Sequence, residues 1–116
     1  MSPPVGPYTP VVRSGDWLVC SGQLGLKDGK LVEGGVDAQT TEAVLNLRAL
    51  LQSEGADLSD VVKTTVFLAD MEAYGSMNEA YIAAFGDHRP ARSAIGVAAL
   101  PLGALVEIEA WAHRPL

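Results

Sequence analysis

Two residues near the end of the chain have types that can act on a small charged molecule. Arg92 lies in Arg89-Pro-Ala-Arg-Ser, and Glu107 lies in Leu105-Val-Glu-Ile-Glu-Ala-Trp-Ala112. An arginine fork grips a carboxylate through two parallel hydrogen bonds. A glutamate can orient a water or move a proton. In an extended segment Glu107, Glu109 and Trp111 share one face with Leu105, while Val106, Ile108, Ala110 and Ala112 take the other. The two carboxylates are then either an ordinary solvent-facing pair or part of a site. There is no serine–histidine–aspartate or cysteine–histidine pattern, and His88 and His113 stand in no metal-ligand spacing. If the chain is an enzyme, it works by positioning and polarisation without a cofactor. Tyr8 and Asn78 complete the list of candidates. Tyr8 either anchors the N-terminal arm or offers its hydroxyl to a ligand. Asn78 is either a helix-surface residue or an amide turned toward a site.

The elements that position these residues follow from hydrophobic period and turn chemistry. Met1 to Pro10 has four prolines and a glycine and reads as an extended arm. Val11–Arg13 and Trp17–Ser21 read as a hairpin around Ser14-Gly15-Asp16. Gly22 and Gly25 mark a bend or a close backbone approach, and Lys27-Asp28-Gly29-Lys30 is a turn inside a glycine-rich loop without a phosphate-binding fingerprint. Asp37 to about Glu54 is a helix by its Val44, Leu47, Leu51 spacing, with Asp37 as N-cap and Gly55 as stop. Val61–Leu68 is a strand with Val62, Thr64, Val66 and Leu68 toward the core. Asp70 caps a second helix, Met71 to Phe85, whose apolar seam holds Tyr74, Met77 or Asn78, Tyr81 and Phe85. Arg92 then opens a strand from Ser93 to Ala99. A short connection around Pro101 and Gly103 returns the chain antiparallel into the strand that carries Glu107.

This order describes one α+β domain over residues 1–116, a sheet covered by two helices on one face. The opposite face keeps Phe67 and other apolar residues, which a homo-oligomer would cover, and such an assembly creates clefts between subunits. The net charge of -6 without a basic block argues against nucleic acid as a partner. No stretch is long enough to cross a bilayer, and the N-terminus lacks a signal-peptide pattern. The single cysteine, Cys20, reads as a buried small hydrophobe. Cytoplasmic location is expected.

Six pieces, taken together, resemble the RidA family, also called YjgF/YER057c/UK114. They are Gly6-Pro7-Tyr8, Cys20-Ser21-Gly22-Gln23, Val61-Val62-Lys63-Thr64-Thr65-Val66-Phe67, Met77-Asn78-Glu79-Ala80-Tyr81, Pro90-Ala91-Arg92-Ser93 and Leu105-Val106-Glu107-Ile108-Glu109-Ala110. They stand in the family's order and span nearly the whole chain. The resemblance implies a chorismate-mutase-like α+β fold and a homotrimer with three sites in clefts between subunits. It implies hydrolysis of reactive 2-imino acids and their enamine tautomers to 2-keto acids and ammonia. In that reading Arg92 holds the substrate carboxylate and Glu107 orients the attacking water. Tyr8, Asn78 and Ser93 bind substrate, and Glu109 has no catalytic part. The chain departs from the family at Ala94, where a cysteine is frequent, at Arg89, where phenylalanine is common, and at Gly25-Leu26. Two further readings stay beside the deaminase: a relative acting on another small metabolite, and a non-catalytic binding trimer.

Overall fold

The computed structural model describes residues 4–116, so the first three residues of the expected arm lie outside it. Strands β1 (Val11–Ser14) and β2 (Trp17–Leu24) form the expected hairpin, with Ser14 opposite Trp17. The expected loop then folds into a second small hairpin, β3 (Leu26–Lys27) and β4 (Lys30–Leu31), turned at Asp28 and Gly29. Both turn residues have positive φ, which is the backbone twist that a two-residue hairpin needs.

Helix α1 (Gly35–Ser53) begins two residues before Asp37. No side chain caps it, and Asp37 instead places its charge in the first turn, near the positive end of the helix. Val44, Leu47, Leu50 and Leu51 are all buried, as the spacing required. Strand β5 (Val61–Leu68) departs from simple alternation at its start. Its register with the neighbouring strand shifts between Val61 and Lys63, so Val61 is buried and Val62 is 45% exposed. Only Thr64, Val66 and Leu68 of the expected core face are buried. The second helix is split. A 3-10 turn at Met71–Ala73 precedes α2 (Tyr74–Phe85), because the Asp70 carboxylate accepts the Glu72 N–H at 2.9 Å and tightens the first turn.

Strands β6 (Ala91–Gly96) and β7 (Val106–His113) close the chain. The sheet order is β1-β2-β7-β5-β6, with β5 and β6 parallel and the other neighbours antiparallel. The expected antiparallel pairing of β6 with β7 is therefore absent. The segment β5–α2–β6 is a strand–helix–strand crossover, which returns a strand parallel to its partner. The connection after β6 then carries the chain past the end of β5, where Val97 N–H bonds Leu68 O and Ala69 N–H bonds Leu105 O. Arg92 also lies inside β6 rather than ahead of it.

Both helices cover one face of the sheet. Val44, Leu47, Leu51 and Met77 meet Leu18, Val66, Val106 and Ile108 in one core. The other face leaves Val12, Trp17, Ile95 and Trp111 exposed. Among the described residues, no helix is long and apolar enough to cross a membrane.

Candidate functional site

Glu107 is placed by β7, whose alternation buries Val106, Ile108 and Ala110 under the helices and turns Glu107 to the opposite face. It stands beside the second half of β2, where the register shifts between Cys20 and Gln23. A groove there is lined by Tyr8 and Val5 of the arm, Gly22 and Gln23 of β2, Asn46 of α1, and Glu107. Gly22 is required for this approach: a Cβ on it would lie 2.7 Å from the Glu107 Cδ. Asn46 stabilises the wall by donating to the carbonyls of Leu24 at 3.0 Å and Leu26 at 2.9 Å. Burial, and secondarily the charge of Glu109, push the Glu107 carboxyl above its ordinary pKa. A carboxylate so destabilised is a better proton acceptor near neutral pH than a solvated one. The Tyr8 hydroxyl accepts from the Val5 N–H at 3.3 Å, so its anchoring role and its place in the groove coexist.

Arg92 belongs to a second cluster. From β6 its side chain turns toward α2, where Nη2 donates to the Tyr74 hydroxyl at 3.0 Å. The Met77 sulfur lies 3.8 Å from Nη1. The guanidinium carbon is 5.0 Å from the Tyr81 ring centroid and 5.5 Å from that of Tyr74, within reach of cation–π attraction. Asn78 is four residues after Tyr74 and three before Tyr81, so it shares their helix face. Its amide oxygen is buried and accepts no hydrogen bond. An unpaired buried acceptor of this kind costs about 1–3 kcal/mol. The spacing of Tyr74 suggested only an apolar seam; its contact with Arg92 was not legible there.

Ser93 faces away from the Arg92 cluster, onto the sheet face that Glu107 also takes. Alternation turns it to the uncovered face, where its hydroxyl accepts from Lys63 Nζ at 3.1 Å. Lys63 also donates to the Thr65 hydroxyl at 3.3 Å. Arg89, the departure ahead of the Pro-Ala-Arg-Ser segment, donates to the carbonyls of Gly86 and His88 at the end of α2. Ala94 packs against the core two residues beyond Arg92. Cys20 is buried, and burial raises its thiol to about 12, which leaves it unreactive at neutral pH. Among the described residues no three His, Cys, Asp or Glu side chains gather as a metal site would require.

Arg92 and Glu107 thus do not meet within one chain. Arg92 pairs with Thr64, and Thr64 with Ala110; Glu107 pairs with Phe67, and Phe67 with Ile95. Two strand spacings and three residues of register separate the pair by about 10 Å in each direction, and they leave opposite faces.

The family model described as Endoribonuclease L-PSP matches residues 1–114. The chain belongs to that family, the RidA family. A RutC family protein of Pyrococcus horikoshii is 41% identical over 113 residues, covering 96% of this chain and 90% of that protein. The 2-iminobutanoate/2-iminopropanoate deaminase of Mus musculus is 47% identical over 110 residues, covering 93% and 82%. The crystal structure of RidA from an Antarctic Psychrobacter superposes with a TM-score of 0.91 at 38% identity, covering 96% and 91%. The RidA fold is therefore the α+β architecture described above, with its mixed sheet and two helices on one face.

Proposed function

We propose that this RidA-family protein hydrolyses small 2-imino acids and their enamine tautomers, such as 2-iminobutanoate or 2-iminopropanoate, to 2-keto acids and ammonia. Relatives with that activity support the reading; the mouse deaminase is 47% identical. The observation that carries it is the complementary character of the two clusters. One holds a guanidinium against a helix that also carries an unpaired amide oxygen, and the other presents a carboxylate of raised pKa in a groove. A small imino acid is too short to span both within a chain. The working site is accordingly a cleft between subunits of a homotrimer, with Arg92 and Asn78 from one subunit and Glu107 and Tyr8 from its neighbour.

The chemistry follows. Arg92 holds the substrate carboxylate through paired hydrogen bonds, which strengthen in a water-poor cleft. The Asn78 oxygen accepts the N–H of the protonated imine. Glu107 takes a proton from water as its oxygen attacks the C=N carbon, and the π pair moves to nitrogen. In the resulting carbinolamine Glu107 gives its proton to the amine nitrogen; the C–N bond breaks as the C=O bond forms, and the hydroxyl proton passes back to the Glu107 carboxylate and leaves with ammonia as ammonium. No cofactor enters any step. Tyr8 closes the cleft beside Glu107. Ser93 contributes to substrate binding through the backbone of its strand, since its hydroxyl already serves Lys63.

A nuclease reading is weaker. The net charge is -6, and several cations are engaged: Arg48 with Asp57 at 3.0 Å, and Arg13 with carbonyls of Glu54 and Arg114. No basic track for a phosphate backbone results. A cytoplasmic setting suits the unpaired, buried Cys20.

The direct test generates 2-iminobutanoate with a threonine dehydratase and follows its lifetime. The protein is expected to shorten it, and Arg92→Ala to abolish the effect while keeping assembly. An unchanged lifetime with wild-type protein across a panel of imino acids overturns the proposal.

A further inference from the structure

Arg92 is not a free cation waiting for a carboxylate. Its guanidinium already lies within cation–π reach of two aromatic rings, and the two rings are held differently. Tyr81 is 3% exposed, and its hydroxyl is committed to the Thr64 hydroxyl at 2.7 Å. It is a fixed wall. Tyr74 is 40% exposed, and its hydroxyl takes the Arg92 Nη2 hydrogen at 3.0 Å. Among the polar contacts of the Arg92 side chain this is the short one; the Met77 sulfur is at 3.8 Å and accepts weakly.

Tyr74 is itself fixed by features that otherwise lack a purpose. It is the first residue of α2, directly after the 3-10 turn that Asp70 caps. That turn docks on the strand bearing Arg92. The Met71 side chain crosses Gly96 so closely that a Cβ there would lie 2.7 Å from the Met71 Cγ. Gly96 is four residues beyond Arg92 in β6, on the same face. The turn is thus seated on β6 at Gly96 while its continuation reaches back to Arg92. An exposed tyrosine at a helix start would ordinarily sample several rotamers; here both its helix and its partner strand are tied together.

We propose that Tyr74 is a positioning residue: its hydroxyl orients the Arg92 guanidinium before substrate arrives, leaving the other N–H donors aimed at the incoming carboxylate. The proposal rests on the reading of Arg92 as the carboxylate clamp. A long, freely rotating arginine would have to lose its rotamer freedom on binding, whereas a pre-oriented fork has lost it already. The contribution is to binding and not to the bond-making step. A hydrogen bond to a charged group of this kind corresponds to about tenfold in affinity.

Tyr74→Phe keeps the ring over the guanidinium and removes only the acceptor. It is expected to raise KM about tenfold for 2-iminobutanoate while kcat stays within a factor of about two, and Tyr74→Ala to raise KM further because the ring is lost as well. A second readout needs no turnover. In ligand-free wild-type protein, NMR should show the Arg92 guanidinium with restricted rotation and separate Nη signals. In Tyr74→Phe these signals should merge, and titration with 2-oxobutanoate should give a dissociation constant about tenfold weaker. Unchanged KM, guanidinium signals and 2-oxobutanoate affinity in Tyr74→Phe would overturn the role. So would a fall in kcat at constant KM. If wild-type protein turns over no imino acid, the deaminase reading falls, and the Tyr74 role is decided by the NMR signals and the titration alone.

Discussion

In its proposed role Glu107 would set stability against activity in a single side chain. Its carboxyl is pushed above its ordinary pKa by burial first and by Glu109 second. Between the unfolded and folded pKa values the folded chain binds more protons. This group therefore stabilises the fold most below its unfolded pKa, and that contribution is lost as pH rises through the folded value. At neutral pH the ionised form is a strain on the fold. Glu107→Gln, permanently neutral, is expected to unfold at a higher urea concentration than wild type at pH 7. That advantage should shrink as pH falls through the folded pKa of Glu107. The same variant should lose about a hundredfold or more in imine hydrolysis, the usual scale for removing a proton-transfer group. A variant both less stable and fully active would contradict both roles. Arg92 and Asn78 show the counterpart at the other cluster, a charge already oriented and an acceptor still unpaired.

At the scale of elements, two glycines of the β2 region each permit a close approach, for different reasons. A Cβ on Gly25 would meet the backbone of α1, 2.6 Å from the Gln39 Cα. That backbone cannot yield, because Gln39 is buried and its amide oxygen accepts the Leu105 N–H at 2.9 Å. Gly25→Ala is expected to destabilise the protein by about 1–3 kcal/mol in urea denaturation, as overpacking does. The atoms nearest to a Cβ on Gly22 all belong to the Glu107 side chain, which can swing aside. Gly22→Ala should keep its denaturation midpoint and lose activity by about a hundredfold, since small displacements of a catalytic group are costly. Equal losses of stability in both variants would show that the Gly22 contact is not specific to Glu107. The β5–α2–β6 crossover has the parallel task for Arg92, setting α2 over the strand that carries it.

For the whole molecule, the decisive feature is the face the helices leave bare. Val12, Trp17, Ile95 and Trp111 are exposed there, with the two tryptophan rings edge-on at 6.3 Å. An apolar sheet face of this kind favours self-association. Native mass spectrometry is expected to give three times the 12.2 kDa chain mass. Ile95→Glu should dissociate the assembly and abolish imine hydrolysis together, although Ile95 belongs to neither cluster. A monomeric wild type with full turnover would sink the shared cleft.

Much of this was written in local sequence. Hydrophobic period located both helices and every strand of the main sheet, because the spacing of buried side chains is set by helix and strand geometry. The motifs around Tyr8, Asn78, Arg92 and Glu107 were enough to point to the RidA family, which the comparisons bear out. Gly22 and Gly25 announced a close approach without saying to what. Other matters were decided only by tertiary structure. The short connection between the last two strands suggested a hairpin, yet β5 lies between them, since strand order depends on contacts distant in the chain. The bulge at Val61 moved Val62 out of the core through pairing with β7. The bond from Arg92 to Tyr74 joins residues on different elements, and no periodicity within either one encodes it. Local sequence sets which face a side chain takes along its own element. Which other face it meets is set by packing the elements together.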